Sequence, residues 1–107
     1  MAHQEHQSCM AACMQCAQEC EHCGTACIQE SRPDCAQMCI DCADICWLAA
    51  GFLSRGSAHH AKICGVCAEI CDACAAECAK HKSEHCQRCA EACRRCAAEC
   101  KKVAGEM

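Results

Sequence analysis

Cysteine occupies twenty of the 107 positions, and the spacing of these thiols is the part of the chain best suited to chemistry. They form four runs. The first is Cys9, Cys13, Cys16, Cys20, Cys23 and Cys27, and the second is Cys35, Cys39, Cys42 and Cys46. The third is Cys64, Cys67, Cys71, Cys74 and Cys78, and the fourth is Cys86, Cys89, Cys93, Cys96 and Cys100. Every step within a run is three or four residues. Residues at those steps share one face of a helix, with Cβ atoms about 5–6 Å apart. Alternation of the two steps is the seam that a helix turns toward its partners in a bundle. Two thiolates so placed can grip one ion from opposite sides, because a zinc–sulfur bond is about 2.3 Å long. Disulfides along a run fit poorly, since their Cβ atoms sit about 3.8 Å apart. Bridges between facing helices stay geometrically open.

Soft thiolates select Cu(I), zinc or iron–sulfur clusters. Zinc takes four ligands in separate tetrahedral sets, whereas these runs are continuous. If each thiolate bridges two ions and each ion takes two thiolates, one Cu(I) per thiolate leaves the interior neutral. Zinc shared between thiolates leaves net charge, which is costly to bury. Cu(I) is therefore the better match. A metallothionein-like zinc buffer is the first alternative. An iron–sulfur electron carrier, needing four cysteines on one cluster, is the second, and a redox enzyme or thiol sensor with an accessible low-pKa cysteine is the third. A single buried cysteine is merely a small hydrophobe, but twenty in register are not accounted for that way.

The elements that must position these thiols are helices. Alanine, glutamate, lysine and glutamine fill the faces between cysteines and are good helix formers, and no alternating strand pattern occurs. The pattern predicts helix one from near His3 to Ile28 and helix two from Pro33, in the first turn, through Leu53, with Ser31 or Arg32 at its cap. Gly56 is the stop and Ser57 the next N-cap. Helix three is expected over Ala58 to Lys80, and helix four from the cap Ser83 to near Gly105. Short connections imply antiparallel neighbours. The expected fold is all-α, an up-down-up-down four-helix bundle with a cysteine-lined core, residues 1–107 forming a single storage-type domain.

That topology makes the two ends chemically unequal. At one, the cysteine phase continues into Ala49 and Leu53 beside Trp47, Leu48 and Phe52, an apolar plug. At the other, it continues to His81, with His85 beside Cys86 and with His22 and Met38 at the same level. His81, His85 and Met38 are the expected accessory metal ligands at an open mouth. His3, His6, His22, His59 and His60 are left unassigned, although His6 and His60 fall on the extended cysteine phase at the plugged end. A further stripe, Ile45, Leu48 and Phe52 with Ile63, Val66 and Ile70, cannot face the same seam. It reads as a homo-oligomer interface, the alternative being a wedge between adjacent helices of one bundle.

Other classes are disfavoured by composition. A formal charge of −4 with interspersed signs argues against nucleic acid, which calls for a basic patch. No signal peptide is recognisable at Met1–His6 and no apolar run reaches the length of a membrane span. The expectation is a cytoplasmic protein, where thiols stay reduced, with no membrane partner.

Four cysteine-lined helices, the stretch Asp41-Cys42-Ala43-Asp44-Ile45-Cys46-Trp47-Leu48-Ala49-Ala50, and the connection from Cys78-Ala79-Lys80-His81 to His85-Cys86 together resemble the bacterial copper storage proteins of the cytosolic type. The likeness covers nearly the whole chain. It implies a tetramer of four-helix bundles, each holding many Cu(I) ions on the twenty cysteines, up to about one per cysteine. It also implies uptake through an open end bearing His or Met. The function it implies is non-enzymatic, protecting against copper toxicity and holding a reserve, with a copper chaperone expected as donor or acceptor.

Overall fold

The structure is a computed structural model that describes residues 5–106, so His3 lies outside the described residues. Four α-helices account for nearly all of them: α1 (Gln7–Gln29), α2 (Pro33–Arg55), α3 (His60–Ala79) and α4 (Glu84–Ala104). Each packs on the next and α1 closes the ring against α4, giving the expected up-down-up-down bundle, 43 × 19 × 17 Å.

Local sequence explains most helix ends. At the end of α1, Ser31 takes a left-handed conformation (φ 59°). The Arg32 N–H then donates to Cys27 O at 2.8 Å and the Ser31 N–H to Ile28 O at 3.1 Å. This pair of bonds is a Schellman closure, with serine where glycine is usual. Pro33 opens α2, where its missing N–H costs nothing. Gly56 closes α2 at φ 66°, with the Gly56 N–H donating to Leu53 O and the Ser57 N–H to Phe52 O.

Two expected caps behave differently. Helix α3 begins at His60 rather than Ala58. Ser57 forms a turn ahead of it, its Oγ accepting from the His59 N–H at 3.1 Å and its carbonyl from the His60 N–H at 3.2 Å. Ser83 does hold the N-cap position of α4, but its hydroxyl makes no capping bond. That hydroxyl accepts instead from the Arg32 guanidinium at 2.7 Å.

The helices approach unequally, because small residues line two of the four seams. Ala36, Ala43 and Ala50 recur every seven residues on α2, Ala61, Ala68 and Ala75 on α3, and Ala90 and Ala97 on α4, all buried. Helix α1 contributes Ala17 and Gly24. A methyl added at Gly24 would meet Ile40 Cγ1 at 3.4 Å and Cys39 Cβ at 3.5 Å, and one at Gly65 would meet Ala104 Cβ at 3.7 Å. Alanine and glycine thus let α1 approach α2 and α3 approach α4 closely. The cysteine faces turn inward between these two tight pairs.

At the plugged end, Ala49, Leu53 and Val103 are buried in the core. Trp47 and Leu48 are not part of that plug. They are 40% and 46% exposed, and the Trp47 indole donates to Glu21 Oε2 at 3.1 Å on the surface. Phe52 is half-buried beneath the Arg55 guanidinium, 5.0 Å above its ring.

Candidate metal centre

All twenty cysteines are buried and all are free thiols. They interdigitate as two zippers. Between α1 and α4, Cys13 meets Cys96 at 3.6 Å, Cys16 meets Cys93 at 3.6 Å, Cys20 meets Cys89 at 3.6 Å and Cys23 meets Cys86 at 3.7 Å. Between α2 and α3, Cys39 meets Cys78 at 3.6 Å, Cys42 meets Cys71 at 3.7 Å and Cys46 meets Cys67 at 3.8 Å. Contacts across the bundle diagonal join the zippers: Cys39–Cys89, Cys42–Cys93 and Cys46–Cys96, each 3.9 Å. Three metal–sulfur bonds of about 2.3 Å in a trigonal plane separate their sulfurs by about 4.0 Å. The thiols are therefore spaced for shared coordination without moving a helix.

The sulfurs also converge in tetrads whose atoms lie within 4.8 Å of one another. Cys13, Cys67, Cys96 and Cys100 form one, and Cys96 belongs as well to the next, with Cys16, Cys46 and Cys71. Cys16 leads on to Cys20, Cys42 and Cys93, and Cys20 and Cys93 to Cys74 and Cys89. Cys89 completes the file with Cys23, Cys39 and Cys78. Each of these tetrads shares at least one sulfur with its neighbour. The core is one continuous column of donors.

Thiol–thiol hydrogen bonds divide the protons unevenly along it. Cys74 and Cys89 are each lowered to about 7, by Cys20 first and also by Cys39. Cys96 is lowered to about 7 by Cys100 and Cys13. Cys20, Cys39 and Cys100 are pushed up, led by hydrogen bonds with Cys16, Cys23 and Cys13 respectively. Burial pushes Cys86 up to about 11, with Cys23 adding to the effect.

The mouth is where the α1–α2 and α3–α4 connections meet. His85 Nδ1 lies 3.2 Å from Cys23 Sγ and 3.5 Å from Cys86 Sγ, and its Nε2 meets the Glu30 carboxylate at 3.0 Å. Burial works against protonation of His85, but the hydrogen bonds with Cys23 and Glu30 raise its pKa. Arg32 ties the two connections together, pairing with Glu30 at 3.3 Å and donating to Ser83 Oγ and, at 3.7 Å, to Cys86 Sγ. Next to this latch, His81 Nε2 pairs with Glu77 at 3.1 Å, and both border a cleft that exposed Pro33 and buried Cys35 also line. Bonds from His81 and Lys80 hold the Glu77 carboxyl below its ordinary range.

This fold has close counterparts. The family model for copper storage proteins matches residues 2–105. The chain belongs to the copper storage protein family. Apo copper storage protein 3 from Bacillus subtilis is 43% identical, with a TM-score of 0.87 over 92% of this chain and 97% of that one. The cytosolic copper storage protein from Streptomyces lividans, in a structure described as carrying five coppers, is 34% identical, with a TM-score of 0.90 over 99% and 97%. A structure of the copper storage protein from that organism loaded with ten copper equivalents is 36% identical, with a TM-score of 0.86 over 92% and 83%. No curated protein matches the chain. A copper storage protein holds copper without converting it, so membership makes the chain a binder and not an enzyme.

Within this copper storage fold, the other residues singled out in the sequence separate. Met38 is half-buried and lines the outer groove between α2 and α3 with Asp41, Ile45, Leu48 and Ile70. His22 is exposed, its ring 6.3 Å from that of His85 and edge-on to it. His59 is exposed. Sequence reasoning did not anticipate the Arg32 latch. An arginine next to a proline break, facing a second helix break that the topology brings alongside, was the available signal. Helix α2 is long and apolar enough to cross a membrane by composition; its cysteines and alanines are buried in the bundle, while Ile40, Trp47 and Leu48 are exposed.

Proposed function

We propose that the sulfur column fills from the mouth inward, to about one Cu(I) per cysteine, with all twenty cysteines as thiolate ligands. The chain binds and stores multiple Cu(I) ions through thiolate clusters inside the bundle, and residues 1–107 act as one storage domain. The observation that carries the capacity is the sharing of sulfurs between neighbouring tetrads. Separate four-sulfur sites would suit zinc, whereas shared thiolates that each bridge two ions suit monovalent copper and leave the interior neutral.

An incoming ion meets His85 and Cys23 together, exchanges onto the Cys23–Cys86 pair, and steps from tetrad to tetrad. His81 lies beside this route, and Met38 offers a thioether on the α2–α3 face. Each thiol surrenders its proton on binding. Such a store protects against copper toxicity and keeps a reserve, with a copper chaperone as donor or acceptor at the mouth. Reduced thiols throughout the core fit a cytoplasmic setting.

The outer stripe supports assembly as a homotetramer. Ile45, Ile63 and Ile70 are half-buried against the core, while Leu48 and Val66 stay exposed, as do Ile40 and Trp47. An apolar face of this kind is covered most simply by another copy of the chain.

Anaerobic titration with Cu(I) against a chromophoric chelator tests the capacity. The expected plateau lies near the cysteine count. A plateau at about four ions, as for separate zinc-type sites, would overturn it, as would tight zinc binding with weak Cu(I).

A further inference from the structure

The plugged end of the bundle carries a second, chemically different set of ligands. His6, ahead of α1, is 8% exposed and its Nε2 lies 2.9 Å from Glu106 Oε1, beyond α4. His60, the first residue of α3, directs its own Nε2 at the same oxygen from 4.0 Å. The two imidazole rings are 4.8 Å apart and inclined at 43°. The three groups come from three separate parts of the chain, and only the bundle topology brings them together.

The hydrogen bond on the far side of the His60 ring favours metal binding at its Nε2. His60 Nδ1 lies 2.7 Å from the Ser57 carbonyl oxygen. A carbonyl only accepts, so Nδ1 carries a proton, and in the neutral ring Nε2 presents its lone pair toward Glu106. This is the arrangement by which outer hydrogen bonds orient a metal-bound histidine. For a tetrahedral ion with bonds of about 2.0–2.1 Å, ligand atoms lie about 3.3 Å apart. The observed separations of 2.9 and 4.0 Å straddle that value. A small movement of the Glu106 carboxylate would equalise them.

We propose that His6, His60 and Glu106 form a site for one divalent ion of the Zn(II) class, with water completing the coordination. Two imidazoles and a carboxylate are borderline-to-hard donors and match zinc better than the cuprous ion that thiolates select. The ion displaces the proton shared between His6 and Glu106 and binds the free lone pair of His60. It clasps the start of α1, the α2–α3 turn and the segment after α4 at the end away from the mouth.

The test adds zinc sulfate anaerobically to Cu(I)-loaded protein, whose thiols are occupied, with a chromophoric chelator as competitor. One zinc per chain is expected, lost in His60→Ala and weakened in Glu106→Gln, and kept in His22→Ala. Cobalt chloride in place of zinc should give weak visible bands without intense thiolate-to-metal absorption in the near ultraviolet. Helical circular dichroism checks that each variant is folded. Absence of the zinc equivalent, its survival in both His60→Ala and Glu106→Gln, or a thiolate-type cobalt spectrum would overturn the site. The copper content of the starting protein is measured separately, so a low copper count counts against the storage reading and not against the zinc site.

Discussion

His85 Nδ1 sits 3.2 Å from the sulfur of Cys23, the cysteine that links the mouth to the innermost tetrads through Cys39, Cys78 and Cys89. Because Glu30 holds the other ring nitrogen, the imidazole is fixed in orientation between solvent and sulfur. An ion arriving there finds one nitrogen and one sulfur donor at once. Replacing His85 with alanine should therefore slow uptake by roughly tenfold, the low end of the loss seen when a supporting group is removed from a metal site. The final capacity should be unchanged, since the thiols remain. Stopped-flow loading followed by an equilibrium titration separates the two. A variant that loads at the wild-type rate would remove His85 from the route.

Proton release during loading should depend on pH in a definite direction. Cys74, Cys89 and Cys96 are held near 7, so they are mostly thiolates at about pH 8 and mostly thiols at about pH 6. Cys86, pushed up to about 11, is a thiol at both. Metal binds the deprotonated form. The proton yield per copper should rise as pH falls across this window, while the apparent affinity falls. Calorimetry in buffers of different ionisation enthalpy measures the yield. A yield that stays flat from about pH 6 to 8 would contradict the uneven sharing of protons along the column.

Leu48 and Val66 stand exposed on α2 and α3 beside half-buried Ile45, Ile63 and Ile70. If this face is the contact between copies, Leu48→Glu should convert the proposed tetramer to smaller species, because a carboxylate there would have to be desolvated in the interface. Copper capacity per chain should be unaffected, since the stripe lies outside the sulfur column. Sedimentation velocity on wild type and variant decides the matter. Identical profiles would mean that the stripe serves only as a wedge within one bundle.

What could be read from the sequence was whatever depends on neighbours within a turn or two. The three-and-four cysteine steps gave the inward faces of all four helices, and Pro33 and Gly56 marked the two ends of α2. Ser57 misled because serine satisfies a short turn as readily as a cap, and the turn won. Ser83 reached its expected position, yet its hydroxyl was taken by Arg32, fifty-one residues away in the chain. The His6–His60–Glu106 group was out of reach for the same reason. His6 and His60 fell on the cysteine phase, but only the folded chain shows that Glu106 returns to meet them. The seven-residue recurrence of alanine was present in the sequence and is easily overlooked. Alanine counts as a generic helix former, and its role in setting helix distance appears only once the pairs are seen to pack.

That recurrence leads to a sharp contrast between two substitutions on the α1–α2 pair. Ala43 is fully buried, so Ala43→Leu forces extra volume into a filled interior. Such overpacking costs about 1–3 kcal/mol, a fall of roughly 4–20 °C in Tm for a domain of this size. Gly24, on the facing helix, has room for one methyl, with its nearest neighbour at 3.4 Å a flexible arm of Ile40. Gly24→Ala should gain up to about 1 kcal/mol from helix propensity. Thermal and denaturant unfolding of the apo protein under reducing conditions measures both. If Ala43→Leu were as stable as wild type, α1 and α2 could be held apart without cost. The small residues would then not be what turns the cysteine faces toward one another.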